Sequence, residues 1–170
     1  GEPRRAREMR EDHFERSTRV FGEESFQTLA SKQSLAGLLK NHFGEPEAAR
    51  SLQQEVYDVR RRDLGNEAVQ TLDIMGQLAD TEERLGNWEA ALTLWQELFP
   101  ARDKVLGSRD PRTTTANWRM VFILLGFGQR EEAIAESKSL CWLLVEDPAL
   151  LRLRQPLIRR RVEAEGLCSE

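Results

Sequence analysis

The sequence predicts an all-α fold in which helical hairpins stack into an array, and three observations support that prediction. Glycines recur every 42 residues, at Gly44, Gly86 and Gly128. A second glycine series falls between them, at Gly22, Gly65 and Gly107. Apolar residues between the glycines repeat at spacings of three and four, which is the period of an amphipathic helix. A repeat of this length is typical of a solenoid, in which each unit buries its apolar face against its neighbours.

Residues 1–21 are predicted to be the second helix of a half unit. Ala6 and Met9 fall 43 residues before a matching pair of apolar residues. His13 corresponds in the same way to Val56, so we expect a partly buried histidine with a structural role. Gly1 opens in the middle of a repeat with no initiator Met, and we therefore expect residues 1–170 to be a fragment of a longer chain.

The first complete unit, residues 22–64, should contain one helix on each side of Gly44. Its apolar positions are Leu29, Leu35, Ala36 and Leu39, then Ala49, Leu52, Val56 and Val59. Gly44 marks the end of the first helix, where a left-handed backbone favours glycine. The unit has one residue more than the others between Thr28 and Gly44, and we expect that residue to be absorbed near residues 41–43.

Two further units, 65–106 and 107–146, repeat this pattern. The apolar positions of 65–106 are Leu72, Met75, Leu78, Ala79 and Leu85, then Ala91, Leu94, Leu98 and Ala101. Those of 107–146 are Met120, Val121, Leu124 and Leu125, then Ala133, Leu140 and Leu143. Small alanines that follow the glycines let the helices of a pair approach closely. Glycines and prolines are expected between the helices rather than inside them.

Residues 147–170 are predicted to form a C-terminal capping helix and tail. Asp147-Pro148 is a helix-start signal, and Pro156 should kink or split the helix that follows. One face is apolar, and the other carries Arg152, Arg154, Arg159, Arg160 and Arg161. Two interpretations of these arginines stay open: the solvated outer face of a cap, which the glutamates that follow favour, or a docking site for an acidic partner or a phosphate.

Composition argues against several functions. The formal net charge is −4 and charged residues make up 32% of the chain, so there is no basic excess that would indicate nucleic-acid binding. His13 and His42 have no catalytic pairing, the glycines do not cluster into a phosphate-binding loop, and metal ligands do not cluster. We expect no enzymatic activity, no cofactor and no metal. No window approaches the length of an apolar membrane span.

The two cysteines, Cys141 and Cys168, are too few for a disulfide framework and have no metal-binding spacing. Cys141 lies between apolar residues, so we expect a buried inert thiol there. Cys168 is expected to be a free thiol in a polar tail. Both suit a reducing compartment, and we expect a cytoplasmic protein.

Several short motifs resemble a known repeat. They are the stretch from Val105 to Thr114, the turn from Gly128 to Ala133, Leu64-Gly65, Thr71-Leu72, Leu78-Ala79, and the stretch from Gly86 to Ala91. These motifs look like the tetratricopeptide repeat of the kinesin light chain type, and the resemblance covers about residues 1–145. It implies a right-handed superhelix whose first helices line a concave groove that binds peptides or helices.

The resemblance also assigns residues to that groove, by their register from the Leu-Ala pair of each first helix. They are Gln33, Ser34 and Gly37 in unit 22–64, Gln77 and Asp80 in unit 65–106, and Trp118, Arg119 and Phe122 in unit 107–146. Kinesin light chains typically carry Asn just before the pair, whereas this chain has Ser34, Gln77 and Arg119. The basic residues with which chaperone-binding repeats grip a C-terminal carboxylate are also missing, so a clamp of that kind is not expected.

Trp118 and Phe122 are four residues apart and so share one helix face. Two interpretations stay open. Either the pair forms an exposed apolar pocket beside Arg119 that anchors a partner, or the C-terminal cap covers it and it only stabilises the fold.

These observations predict a protein–protein interaction module, a scaffold or adaptor that presents a preformed concave surface to a peptide, a helix or a partner domain. The alternative is a scaffold or sensor segment of a larger signalling protein, with intramolecular or self-association contacts. Residues 1–21 could pair with a second copy through the open N-terminal end of the array. Neither a membrane nor a nucleic-acid partner is expected.

Overall fold

A computed structural model describes residues 2–146 and 155–168, and every regular element in these ranges is helical. The longer helices are α1 (Glu2–Phe21), α2 (Phe26–Leu38), α3 (Pro46–Leu64), α4 (Val69–Leu85), α5 (Trp88–Leu106) and α6 (Pro111–Gly126). The shorter ones are α7 (Arg130–Ser137), α8 (Trp142–Val145) and α9 (Gln155–Glu165). We refer to α2, α4 and α6 as first helices and to α1, α3 and α5 as second helices.

The chain divides into two compact units, Gly1–Asn87 and Trp88–Glu170, which we call the N-terminal unit and the C-terminal unit. The division falls inside the predicted repeat 65–106. The predicted boundaries at 1–21, 22–64, 65–106 and 107–146, with a cap over 147–170, therefore stay a prediction.

In the N-terminal unit, α2 packs against α1 and α3, and α3 packs against α4. Leu35, Ala36 and Leu39 of α2 form a buried cluster with Ala49 of α3, and Leu52 packs against its edge. Removal of these apolar surfaces from water is the main driving force for joining the helices. Because Ala49 carries only a methyl group, the backbones of α2 and α3 can approach closely, as the sequence predicts.

The recurrent glycines mark the helix ends, as predicted. All six members of the two series have positive φ, from 65° at Gly44 to 87° at Gly22. At Gly86 the left-handed backbone (φ 78°) ends α4 and lets the Asn87 N–H donate to the Glu82 carbonyl oxygen at 2.9 Å. This bond satisfies a carbonyl that the last helical turn would otherwise leave open. A side chain at Gly86 would be strained in this conformation.

Two first helices begin with a side-chain cap. At the start of α2, Ser25 Oγ accepts a hydrogen bond from the Thr28 backbone N–H at 3.2 Å. At the start of α6, Asp110 Oδ1 accepts one from the Arg112 backbone N–H at 2.8 Å. Each cap satisfies one of the N–H groups that the first turn of a helix leaves without a partner.

Two buried arginines that lie 42 residues apart tie a second helix to the first helix that follows it. Arg60 of α3 donates to the Gln70 carbonyl oxygen at the start of α4, at 3.1 Å. Arg102 of α5 donates to the Arg112 carbonyl oxygen at the start of α6, also at 3.1 Å. Burial lowers the pKa of Arg60. The sequence analysis missed this pair, although its 42-residue spacing matches the repeat.

The α2 helix continues into a π-helical turn, Leu39–Phe43, that ends at Gly44. A π-helical turn closes hydrogen bonds between residues five apart and so holds one residue more than an α-helical turn. The extra residue expected near residues 41–43 lies in this turn. That prediction is confirmed.

One expectation about helix interiors is wrong. Pro100 lies inside α5, and Gly37 and Gly76 lie inside α2 and α4. Pro100 is exposed, while Trp95 and Leu98 on the same helix are buried. The packing of such apolar residues sustains the helix around a proline that donates no backbone hydrogen bond.

The second helix predicted over residues 133–143 is interrupted in the C-terminal unit. After Ser137 the chain forms a 3₁₀ turn, Lys138–Leu140, and then α8. Ser137 Oγ donates to the Leu167 carbonyl oxygen at 3.3 Å, so the tail of the chain reaches the point where the helix breaks. Leu140 is buried there as the sequence predicts.

Cys141 and Cys168 form a disulfide, so the expectation of two free thiols is wrong. The bridge joins the turn between α7 and α8 to the tail that follows α9. Two cysteines are too few for a framework, but the tail folds back and brings Cys168 to Cys141, 27 positions earlier in the chain. A reducing, cytoplasmic compartment therefore no longer follows from the cysteines.

The predicted cap is described in part. Its start at Asp147-Pro148 lies outside the described residues, as do Arg152 and Arg154. The α9 helix packs against α6 and α8, and its Ile158 and Val162 are buried. The apolar face expected of this segment is therefore present in its described part.

Two polar side chains of α9 fix it in place. Gln155 Nε2 donates to the Arg109 carbonyl oxygen at 3.0 Å. Arg159 donates to the Glu146 carbonyl oxygen at 2.6 Å and to the Leu144 carbonyl oxygen at 3.0 Å. The interpretation of Arg159 as part of a solvated face is therefore wrong, because it binds carbonyls at the end of α8. Arg160 and Arg161 are exposed as that interpretation expects.

Candidate functional site

The predicted groove residues fall into two sets, one in each compact unit. In the N-terminal unit, Gln33, Ser34 and Gly37 of α2 and Gln77 of α4 line a groove of about 590 Å3. We call this the polar groove, because amide and hydroxyl groups make up much of its wall. The structure thus brings four of the five residues predicted in this unit into one surface.

The fifth residue, Asp80, is engaged in an ion pair. Its Oδ2 lies 2.6 Å from Lys40 Nζ and 3.6 Å from Arg84 Nε. The Lys40 side chain is only 7% exposed, so its ammonium has lost much of its hydration. The Asp80 carboxylate offsets that loss. Asp80 therefore has a structural role in addition to the groove position predicted for it.

The π-helical turn contributes to the wall of the polar groove. Lys40, Asn41 and His42 line it, and all three belong to Leu39–Phe43. π-helical turns are frequent at functional sites because they re-aim the side chains of a helix. The sequence analysis missed these residues, although the extra residue in unit 22–64 pointed to this segment.

The second set lies on α6 in the C-terminal unit. The rings of Trp118 and Phe122 are neighbours, with centroids 6.3 Å apart and planes tilted by 44°. Phe122 is 46% exposed, while Trp118 and Arg119 are partly buried. Such a tilted arrangement is favourable for an aromatic pair. The predicted sharing of one helix face is therefore seen, with Phe122 open to solvent among the described residues.

Two further aromatic residues extend this surface. Phe122 lines a cavity of about 240 Å3 together with Trp88, Ile123, Gly126 and Phe127. Trp88 and Phe127 are both exposed. We call Trp88, Trp118, Phe122 and Phe127 the aromatic surface. The cap residues 147–154, which one interpretation places over it, lie outside the described residues.

The sequence analysis missed Trp88 and Phe127. Both stand close to recurrent glycines, in Gly86-Asn87-Trp88 and Phe127-Gly128, and outside the register of the predicted groove positions. The start of α5 and the end of α6 bring them together. Their proximity depends on how α5 packs against α6, and the spacing of residues along the chain does not predict that packing.

The burial expected for His13 is wrong, whereas a structural contact of the kind expected for it is present. His13 is exposed, and its Nδ1 lies 2.8 Å from Ser31 Oγ of α2. Its counterpart Val56 is fully buried. The register is the same, but Val56 lies in the interior of a packed helix pair, whereas His13 faces an open groove between α1 and α2.

Neither a metal centre nor a membrane-spanning helix is found in the described part of the chain. There, no three or more His, Cys, Asp and Glu side chains are grouped so that they could hold an ion. The described helices also include none that combines the length and the apolar character needed to cross a bilayer.

Comparison with known proteins supports the repeat fold. A family model described as a tetratricopeptide repeat matches residues 71–112. A comparison with curated protein sequences gives no match. The sequence match therefore covers one repeat length of the chain.

Solved structures match over nearly the whole chain. Nearly identical TPR-like repeats of a kinesin light chain from Podosopora anserina have a TM-score of 0.79 and 20% identity, covering 99% of this chain and 81% of that one. A variant of that protein has a TM-score of 0.80 with the same identity and coverage. BtubC (BKLC) from P. vanneervenii has a TM-score of 0.77 and 15% identity, covering 98% of this chain and 67% of that one.

These matches confirm the all-α repeat fold and the resemblance to tetratricopeptide proteins of the kinesin light chain type. Such repeats are generally non-catalytic protein–protein interaction modules. At 15–20% identity the structural likeness extends to the fold and not to a particular partner.

Proposed function

We propose that this chain is a protein-interaction module that anchors a peptide, a helix or a domain of a partner protein on its first helices. The observation that carries the proposal is the aromatic surface. Phe122 leaves nearly half of its side chain in water beside Trp118, and exposed Trp88 and Phe127 stand at the same cavity. Clustered exposed aromatic side chains are unusual on a surface that has no partner.

The physical case rests on the energy that such side chains can contribute. Burying an aromatic ring removes a large apolar area from water, and residues of this type dominate the energetics of many interfaces. The cavity beside Phe122 offers a place for one apolar side chain of the partner. Arg119 on the same helix adds a residue type that often anchors interfaces.

The polar groove of the N-terminal unit would make a different kind of contact. Gln33, Ser34 and Gln77 offer donors and acceptors that suit the backbone of an extended peptide. At Gly37 there is open space where a Cβ would stand, so a peptide could approach α2 closely. This groove supports the proposal without identifying the partner sequence.

The experiment is a pull-down from a cell lysate with the intact chain, followed by affinity measurement with the purified partner. We expect Trp118→Ala/Phe122→Ala to weaken binding by about tenfold or more, because two anchoring rings are lost. Val145→Ala is the matched control, since Val145 is an exposed apolar residue of the same unit outside the aromatic surface. Circular dichroism and thermal melting would show that each variant is folded.

Two results would contradict the proposed site. If the folded double variant binds the partner as well as the wild type does, the aromatic pair only stabilises the fold. If Gln33→Ala/Gln77→Ala abolishes binding while the aromatic variant does not, the polar groove is the principal site. Cell fractionation would separately test the cytoplasmic location, which remains an expectation.

The second candidate function is a scaffold segment that associates with itself. It is favoured by the apolar residues Met9, Phe21 and Phe26, which are all more than half exposed on α1 and α2. Light scattering over a range of protein concentrations tests it. A monomer at every concentration would exclude self-association through this face.

A further inference from the structure

The groove between α1 and α2 has a wall that is unusually apolar for an exposed surface. Its volume is about 720 Å3. Met9 and Phe21 on the α1 side are 64% and 54% exposed, and Phe26 on the α2 side is 65% exposed. Leaving three such side chains in water is unfavourable, which indicates a surface that another apolar surface covers. We call it the apolar groove.

The chain itself contains a covered version of the same face, 43 residues further on. Ala6 and Met9 of α1 correspond to Ala49 and Leu52 of α3. Ala49 is fully buried and Leu52 partly buried, because they pack with the Leu35-Ala36 pair of α2. The face of α3 is thus covered by the first helix that precedes it, and the α1 face has no such helix among the described residues.

The floor of the apolar groove is preformed. Ser31 Oγ of α2 lies 3.2 Å from Ser17 Oγ and 2.8 Å from His13 Nδ1, and both of these residues belong to α1. These bonds fix α1 against α2 along the groove. The groove is therefore continuous with the established α1–α2 interface and does not need to open before a ligand binds.

The charge of the residues that line the apolar groove indicates which kind of helix could bind there. Among the residues lining the apolar groove, the ionisable ones are Arg10 and His13, and neither is acidic. A helix with carboxylates beside its apolar stripe would pair with the Arg10 guanidinium. A basic helix would be repelled by it.

We propose that the apolar groove binds an amphipathic, acidic α-helix that is not part of residues 1–170, in the place that α2 takes on α3. Its apolar pair packs on Ala6 and Met9, as Leu35-Ala36 packs on Ala49 and Leu52. Its carboxylates face Arg10. This surface is independent of the aromatic surface, so the two can succeed or fail separately.

The test uses the intact chain and two labelled synthetic peptides in fluorescence anisotropy titrations. The first has the sequence of residues 67–87, an acidic amphipathic segment with the Leu78-Ala79 pair; the second has residues 24–44, a similar segment that is slightly basic. We expect saturable binding of the acidic peptide and several-fold weaker binding of the basic one. A scrambled acidic peptide should not bind.

Variants locate the binding. We expect Met9→Glu to weaken binding of the acidic peptide by about tenfold or more, and Phe26→Ala, which adds no charge, to weaken it severalfold. Both side chains are exposed, so these changes should leave the fold intact. Val20→Glu is the matched control: Val20 is an exposed residue of α1 that does not line the groove, and its variant should bind like the wild type.

Three results would overturn the proposal. One is the absence of saturable binding by the acidic peptide, and another is equal binding by wild type and Met9→Glu. The third is a homodimer that Met9→Glu dissociates, because the occupant would then be a second copy of the chain. Trp118→Ala/Phe122→Ala should bind the acidic peptide normally, which separates this proposal from the function proposed above.

Discussion

The two compact units follow the same glycine register, but a covalent bridge closes the C-terminal unit. In the N-terminal unit, ion pairs join residues of different elements: Lys40–Asp80, Arg50–Glu82, and Arg7 with Glu45 just before α3. The C-terminal unit also has ion pairs, Arg130–Glu165 and Arg109–Glu146, but its chain end folds back in addition and Cys168 forms a disulfide with Cys141. The shared elements are the terminating glycines and the buried pair Arg60 and Arg102.

This difference shows which features the repeat requires and which it leaves free. Helix ends and the ties between successive helices recur, because every hairpin needs them. The other stabilising interactions, such as the Lys40–Asp80 ion pair and the disulfide, do not recur, because different segments pack against the helices in each unit. We therefore expect salt to weaken the exposed ion pairs of both units, and reductant to act on the C-terminal unit.

The largest expected effect is removal of the disulfide. The bridge joins two residues with a sequence separation of 27, and a bridge over such a span stabilises a fold by about 2–4 kcal/mol, chiefly by restricting the unfolded chain. Cys141→Ser/Cys168→Ser should lower the free energy of unfolding by that amount, measured by urea denaturation. Wild type in reductant should behave like the double variant.

The control for this prediction is the double variant in reductant, which should not change further. Thiol titration of the unfolded protein should find free thiols only after reduction. Two reactive thiols in the unreduced protein would show that the bridge does not form in solution, and the contrast between the two units would then be smaller.

The next effect concerns the ion pair of the N-terminal unit. Asp80→Ala would leave the nearly buried Lys40 ammonium without its 2.6 Å partner, at a cost of about 1–3 kcal/mol in unfolding free energy. Lys40→Met removes the charge and keeps an apolar stem, so it should cost less. Adding Lys40→Met to Asp80→Ala should recover part of the loss, and a strictly additive double variant would show that the pair is not coupled.

The smallest effects distinguish the caps of the two units. Ser25→Ala and Asp110→Ala should each cost about 1 kcal/mol at neutral pH, because each leaves a helix-start N–H without its acceptor. Burial by itself would raise the pKa of Asp110. The hydrogen bonds from the Arg112 guanidinium and backbone N–H together outweigh burial, so the net shift of the pKa is downward.

The sign of that shift fixes the pH dependence. A carboxyl whose pKa is lowered by folding contributes stability above its unfolded pKa of about 3.9, and the contribution is lost as the pH falls through the folded pKa. The cost of Asp110→Ala should therefore shrink below about pH 4, while that of Ser25→Ala should stay constant. Urea denaturation at pH 7 and at pH 3 measures both, and a pH-independent Asp110→Ala cost would contradict this assignment.

Much of the fold could be predicted from the sequence because its signals are local. The position of Gly86 in the repeat predicts that a helix ends there. The helical spacing of Leu35 and Ala36 relative to the other apolar residues of α2 predicts that their face is buried. The extra residue in unit 22–64 was located by counting alone. Such features depend on residues within a few helical turns of each other, and helix propensity and apolar periodicity are enough to predict them.

The features that the sequence analysis missed depend on contacts distant in the chain. The disulfide requires the tail to reach the turn after α7, and the break after Ser137 coincides with a bond from that tail. Of the candidate site, Gln33, Ser34, Gly37 and Gln77 line one groove, and their role in binding stays a prediction. Trp88 and Phe127 join Phe122 only through helix pairing. Periodicity shows on which face of its helix a side chain lies, but it does not show which residues of other helices pack against that face.

The π-helical turn at Leu39–Phe43 has a consequence for how such arrays change over time. The turn accommodates one inserted residue inside a helix. The spacings after it, from Gly44 to Gly86 and from Gly86 to Gly128, are again 42 residues. A gain of one residue therefore does not propagate into later units. The length of a unit is set by where its helices turn, so two arrays can share a geometry while their residue counts drift apart.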